Sequence, residues 1–391
     1  MCDFVPGQAV AVGPIDALRE IGDGLPGQLG PVTPLIHPDL IRNGDHPLSK
    51  AGFVVLKTEP GLEVHAVSRL SARLGGALQH NAAAVDLNHI LPLSSPLATR
   101  SAALQLSRSG LFEARGLQRL LRDLVPGFPS PLRVAVLDSG LLPTYSAYRD
   151  VRYLDYSHEG GVRLDTAAED PRGHGTRVTS ILDQVLPPDV ALSVGRLPTD
   201  ENALTALSIA RALGDIIVRE EPAVVNLSVS IRNDFVRCPW CQKTGATPTF
   251  FSSLLPTVIR MASLSKVPTK VVMAAGNSGQ IANSRWLTDD IDNLLLAYAE
   301  NAQREPTDYS CRTSGPLWDL YSVGAFGGDD PDQPNAQGVF TDGSHGTSFA
   351  APFVTAAAIG ALCINEGRND TNNRIGPLIS QLIRLARDRV T

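Results

Sequence analysis

From Arg133 to Ala275, short apolar runs alternate with segments of helical character: Val134 to Leu137, a helix after Gly175, Ala191 to Val194, a helix from Ala203 to Arg219, Val224 to Val229, a helix near Ser252 to Ala262, and Val271 to Ala275. Strands that are apolar on both faces and separated by helices belong to a parallel sheet covered on both sides, because each parallel connection must cross back over one face. The pattern predicts an α/β fold for residues 131–391, an open, doubly wound, mostly parallel sheet. Ligands of such sheets bind beyond the carboxyl ends of the strands, so polar residues just after strands are the first candidates for chemistry.

The amino-terminal region has a different rhythm. Gln8 to Val12 and Phe53 to Leu56 read as strands, each followed by a helical stretch. In the second, Pro60 suits a first helical turn, Leu62, Ala66, Val67, Leu70 and Leu74 recur at helical spacing, and Gly75-Gly76 is expected to stop the helix. A strand around Val85 to Leu91 completes the pattern. Two strand-helix-strand units predict a small ferredoxin-like α/β layer over residues 1–100. Pro, Ser and Thr dominate Pro92 to Arg100, which reads as a linker. Within 101–130, Leu111, Ala114, Leu117, Leu121 and Leu124 share one helical face before Pro126-Gly127.

Composition narrows the function classes. Lys+Arg 34 against Asp+Glu 40 gives a net charge of -6, which argues against a basic nucleic-acid binder. No apolar run approaches the roughly 18 residues that cross a bilayer; the longest surrounds Ala356 to Ile364, so no membrane partner is expected. Cys2, Asp3 and Phe4 follow Met1 without a basic or apolar leader pattern, from which a cytoplasmic location is expected. The five cysteines are Cys2, Cys238, Cys241, Cys311 and Cys363, and only Cys238-Pro-Trp-Cys241 has suggestive spacing. One such pair supplies half of a tetrahedral site, so free thiols are expected there, and neither a metal nor another cofactor is assigned.

Four polar residues follow strands or open helices among small neighbours. Asp138 ends a strand and precedes Ser139-Gly140. His174 lies in Gly173-His174-Gly175-Thr176, Asn277 follows Ala275-Gly276, and Ser348 lies in Gly346-Thr347-Ser348-Phe349-Ala350-Ala351-Pro352. Taken singly, each has a plainer role as a helix cap, a turn residue or a structural histidine. Together they have a chemistry: a serine hydroxyl becomes a nucleophile when an imidazole takes its proton, and the imidazole needs a carboxylate to fix its tautomer and stabilise its charge. Pro352 is expected to be tolerated in or near the first turn of the helix after Ser348.

These four motifs, in this order, resemble those of the subtilisin-like serine proteases over roughly Pro131 to Asn365. The resemblance implies a serine endopeptidase acting on a protein or peptide substrate. Ser348 is its expected nucleophile, His174 the base, Asp138 the orienting carboxylate and Asn277 the oxyanion donor. Val225 to Ser230 resembles the family's edge strand, which implies substrate contacts at Ser228, Val229 and Ser230, with Ala275 and Gly276 opposite; the plainer reading is a buried core strand. His345, in Ser344-His345-Gly346-Thr347, is too near Ser348 in sequence to be its base and is expected at the rim.

Two departures stand out: a short path from Gly324-Ala325 to Gly346 without the usual Ala-Pro-Gly stretch, and an insertion from Arg232 to Thr249. The amino-terminal region weakly resembles subtilase propeptides, which implies an intramolecular inhibitor domain that lays Leu91 to Arg100 along Ser228 to Ser230; the plainer reading is an unrelated α/β accessory domain. The competing function is a protease-fold binding or regulatory module that captures an extended peptide without turnover.

Overall fold

A computed structural model describes residues 4–41, 46–79, 82–89, 104–128, 131–145, 149–158, 162–164, 167–199, 204–229, 254–265, 268–277, 279, 281–282, 293–313, 321–366 and 375–388. The first part of the chain runs β1 (Phe4–Pro14), α1 (Ile15–Arg19), β2 (Gln28–Leu29), β3 (Thr33–Pro34), α2 (Pro38–Ile41), β4 (Ala51–Lys57), α3 (Glu63–Arg73), α4 (Gly75–Gln79), β5 (Ala84–His89) and α5 (Arg108–Leu124). Then come β6 (Arg133–Asp138), β7 (Val151–Asp155), α6 (His174–Val185), β8 (Ala191–Arg196), α7 (Ala206–Glu220), β9 (Val224–Leu227), α8 (Leu254–Ser263) and β10 (Lys270–Ala274). The last elements are β11 (Ile281–Ala282), β12 (Leu294–Glu300), β13 (Arg312–Thr313), β14 (Ser322–Phe326), α9 (Thr347–Glu366) and α10 (Gly376–Asp388).

Seven strands form one sheet in the order β14-β12-β10-β9-β6-β8-β7, and every neighbouring pair is parallel. Helices α5, α6, α9 and α10 pack on one face around Val134, Val136, Val272 and Ala297, while α7 and α8 pack on the other around Ala135, Leu137, Val225 and Val271. The doubly wound expectation holds. From β6 the chain goes out to the edge strand β7, fills the gap between them with β8, and then crosses to the other side of β6 with β9. That reversal places the end of β6, where Asp138 stands, at the switch point of the sheet.

Three strands of this sheet went unassigned from the sequence. Leu294–Glu300 is rich in Leu and Ala and suits a buried helix as well as a strand, and β7 is a short edge strand with Arg152 exposed. Ser322–Phe326 is five residues long and holds a glycine at its centre.

The amino-terminal strands form an antiparallel sheet in the order β2-β4-β1-β5, with β3 also on β4. This is the ferredoxin-like order, with the second strand split into two short pieces. Alternation explains how it is sandwiched. Ala9, Ala11, Val54 and Leu56 face α1 and α3, whereas Val10, Val12 and Phe53 face the opposite way and join the core around α7 and α8. Helix α3 ends at Arg73, just before Gly75-Gly76 as expected, and a separate short helix, α4, begins at Gly75.

Helix α9 corrects the membrane expectation as it was argued. Its Thr347–Asn365 stretch has a mean hydropathy of 1.8 and is long enough to cross a bilayer, yet 83% of that window is buried inside the protein. It is the central helix of its face, touching α5, α6 and α10 and four strands.

Candidate active site

Asp138 and His174 are brought together by the start of α6. His174 Nδ1 lies 2.7 Å from Asp138 Oδ1, which also accepts the Ser139 N–H at 2.7 Å. The approach needs Gly175: a Cβ there would stand 2.4 Å from the Gly140 carbonyl oxygen and 3.1 Å from Asp138 Cβ. The first turn of a helix has unpaired N–H groups, and here two side chains take them. Ser139 Oγ accepts from Gly175 N–H, and Asp170 Oδ2 accepts from Thr176 N–H and from the Thr176 hydroxyl. Asp170 Oδ1 accepts from Ser139 Oγ and from Gly173 N–H. This buried carboxylate was missed in the sequence, where its one signal is an acid four residues before a histidine that opens a helix.

Burial alone pulls the His174 imidazole down, but the Asp138 carboxylate, by charge and by hydrogen bond, together with Asp170, overrides it. The His174 pKa is raised above its ordinary value even against the positive charge of Arg177. An imidazole held through Nδ1 presents Nε2 to its other side.

Ser348 lies buried in the first turn of α9. The next residue, Phe349, places its ring 5.4 Å from the His174 ring, and this contact joins α9 to α6. Pro352 is a correction: it falls inside the helix, in its second turn. Lacking an N–H, it cannot serve the carbonyl four residues earlier, which is that of Ser348. Ser228 Oγ supplies the missing donor at 3.0 Å and accepts from Asn226 Nδ2 at 2.8 Å, while Asn226 Oδ1 accepts from Thr355 Oγ1 of α9.

Asn277 is exposed at the end of β10 and anchored through its oxygen. Its Oδ1 accepts from both the N–H and the hydroxyl of Thr347, each at 2.9 Å, and Thr347 Oγ1 accepts from Gly276 N–H at 3.1 Å. The Thr347 N–H can only donate, so the amide orientation follows, with Nδ2 as the donor end. Gly346, at φ +146, lies beside that end: a Cβ on it would sit 3.1 Å from Nδ2. A donor amide held beside the N-terminus of the helix bearing a buried serine is suited to a developing negative charge.

The expected substrate-side residues fare unevenly. Strand β9 is paired on both sides by β6 and β10, so it is an interior strand rather than an edge. Ser228 and Val229 lie buried just past its end, with the Ser228 hydroxyl committed to Ser348. The Ala275 N–H donates to Ala297 O and the Gly276 N–H to Thr347, so neither is offered to a ligand. His345 is exposed, with its ring edge against Tyr309 at 5.2 Å. Ser230, Cys238, Cys241, the Arg232 to Thr249 insertion and Leu91 to Arg100 lie outside the described residues. Among the described residues, no group of three or more His, Cys, Asp or Glu side chains is arranged to hold a metal.

The subtilase family model matches residues 130–384. The chain belongs to the subtilase family. No curated protein matches this subtilase in sequence. Among solved structures it is similar to the epidermin leader peptide processing serine protease EpiP from Staphylococcus aureus, at 13% identity and TM-score 0.50, covering 96% of this chain and 91% of that one. A mutant of EpiP aligns at 13% identity and TM-score 0.52, over 96% and 92% of the two chains. The nisin leader peptidase NisP from Lactococcus lactis aligns at 14% identity and TM-score 0.44, over 70% and 94%. At these identities the likeness concerns the fold.

Proposed function

We propose that this subtilase is a serine endopeptidase. Ser348 attacks the peptide carbonyl, His174 takes its proton and returns it to the leaving amine, and Asp138 orients His174 and stabilises its charged form. Asn277 Nδ2 and the Ser348 N–H hold the oxyanion. The observation that carries the reading is the buried Asp138–His174 hydrogen bond at 2.7 Å, on an imidazole whose ring packs, tilted, against the residue after Ser348. Ser228 acts from behind, fixing the carbonyl of the nucleophile.

The substrate is a protein or peptide, and the amino-terminal sheet restrains the catalytic half. What supports restraint is its seat: Val10, Val12 and Phe53 share a core with α7 and α8, Asn88 Oδ1 accepts the Leu207 N–H in the first turn of α7, and the His37 N–H donates to Asp215. The test is peptide-library digestion followed by mass spectrometry, comparing the full chain, Ser348→Ala, and Phe53→Asp, which loosens the sheet from α7 and α8. Cleavage absent from Ser348→Ala and increased in Phe53→Asp supports both parts. Binding without cleavage in every form would replace the protease with the peptide-capturing module.

A further inference from the structure

One buried charge near the site has no part in the chemistry above. Arg177 lies on α6, one turn after His174, and its side chain is 3% exposed. A guanidinium is buried only at a steep cost unless it is paired, so the location of its partners shows what it links. They lie in the segment that leads into Ser348. Arg177 Nη1 donates to Ser344 Oγ, Nη2 pairs with Asp342 Oδ2 at 2.6 Å, and the guanidinium lies 5.3 Å from the centre of the Phe340 ring. The Ser344 hydroxyl in turn donates to Asp342 Oδ1 at 2.7 Å.

The path closes on the catalytic histidine. The Phe340 ring meets Phe349 edge-on at 5.5 Å, and Phe349 packs at a tilt against His174 at 5.4 Å. Helix α6, which carries His174, and residues 340–346, which set the entry of α9, are therefore clasped on one side by an ion pair and on the other by three rings. Moving either side would change the distance between His174 and Ser348, the quantity to which proton transfer is most sensitive.

We propose that Arg177 is a positioning residue: by clamping the Asp342 to Ser344 segment to the helix of His174, it sets the alignment of His174 with Ser348. This rests on the protease reading above. A second consequence distinguishes it from a mere brace. Arg177 brings a positive charge toward an imidazole already faced by Asp138 from β6 and Asp170 from the loop before α6, while the α9 ring packed beside it is the apolar Phe349. That charge opposes protonation of His174, which keeps more of the neutral base available. Burial works against ionisation of Asp342, but Arg177 and Ser344 outweigh it and hold that carboxyl below its ordinary range, so the pair stays charged.

The test uses the full chain. In a Ser348→Ala background the His174 ring resonance is titrated by NMR in chains carrying Arg177, Arg177→Gln or Arg177→Lys. The expected result is a rise in the His174 midpoint for the glutamine, and little change for the lysine. With Ser348 intact, Arg177→Gln and Asp342→Asn should each lower kcat by about tenfold or more with KM within about twofold, because alignment rather than binding is lost. Asp342 is partly exposed, so Asp342→Asn decides on kcat if Arg177→Gln does not fold. An unmoved midpoint in folded Arg177→Gln, or wild-type kcat in Asp342→Asn, overturns the proposal. Absence of turnover in wild type together with the expected midpoint shift would instead refute the protease reading and leave the coupling of Arg177 to His174 standing.

Discussion

Ser228→Ala isolates the hydrogen bond that lets a proline sit inside the nucleophile's helix. The substitution leaves two buried groups without partners: the Ser348 carbonyl, which Pro352 cannot serve, and Asn226 Nδ2, which donates to Ser228 Oγ. A buried polar group left unpaired costs about 1–3 kcal/mol, so the pair should cost about 2–6 kcal/mol. At about 2–4 °C per kcal/mol for a domain of this class, Tm should fall by roughly 4–24 °C. The assay is thermal unfolding in a Ser348→Ala background, which removes self-digestion. The decisive arm is Pro352→Ala, which restores an N–H where α9 can donate it to the Ser348 carbonyl. Ser228→Ala should cost about 1–3 kcal/mol less in that background, the residue of the penalty being the unpaired Asn226 amide. Additivity of the two substitutions within about 0.5 kcal/mol would refute the reasoning, since independent sites behave that way.

Asn277→Ala should lower kcat by roughly 10² to 10³ with little change in KM, because its amide meets the oxyanion more than the ground-state carbonyl; steady-state kinetics on a cleaved peptide decide it. The raised His174 pKa places the acid limb of kcat/KM above pH 6.5, the base being inactive when protonated, and a limb centred below that value would contradict the Asp138 coupling. The same shift acts oppositely on stability: the charged pair stabilises the fold below the ordinary histidine pKa, and the contribution is lost as pH rises through the folded value, which unfolding of His174→Gln against wild type should show as a gap that closes with rising pH. Phe53→Asp puts a charge into the core shared with α7 and α8 and should raise the protease accessibility of residues 4–89 while leaving unfolding of the parallel sheet nearly unchanged.

Where an element obeys one strong period, the sequence showed it. The valine-rich runs at β6, β9 and β10 are apolar on both faces because helices cover both, and the motif residues Asp138, His174, Asn277 and Ser348 fall at strand ends or helix starts, where a parallel sheet exposes side chains to a ligand. What stayed hidden depends on partners distant in sequence. Asp170 reads as a turn residue until Ser139, Gly173 and Thr176 are seen to converge on it. The tie of the Ser228 hydroxyl to the Ser348 carbonyl stayed hidden because the two residues lie 120 positions apart. Arg177 reads as a polar helix position, although it is buried against a segment 165 to 167 residues later in the chain. Pro352 was misplaced for the same reason: a proline is intolerable inside a helix only if nothing else serves the orphaned carbonyl.

The most direct test of the central claim is covalent labelling of the full chain with a fluorophosphonate, with the modified residue located by peptide mass spectrometry. The account expects one adduct, on Ser348, formed fastest above the His174 midpoint and abolished by His174→Ala in a chain that remains folded. No adduct on Ser348 in folded wild type and folded Phe53→Asp, or labelling at an unchanged rate without His174, would contradict it.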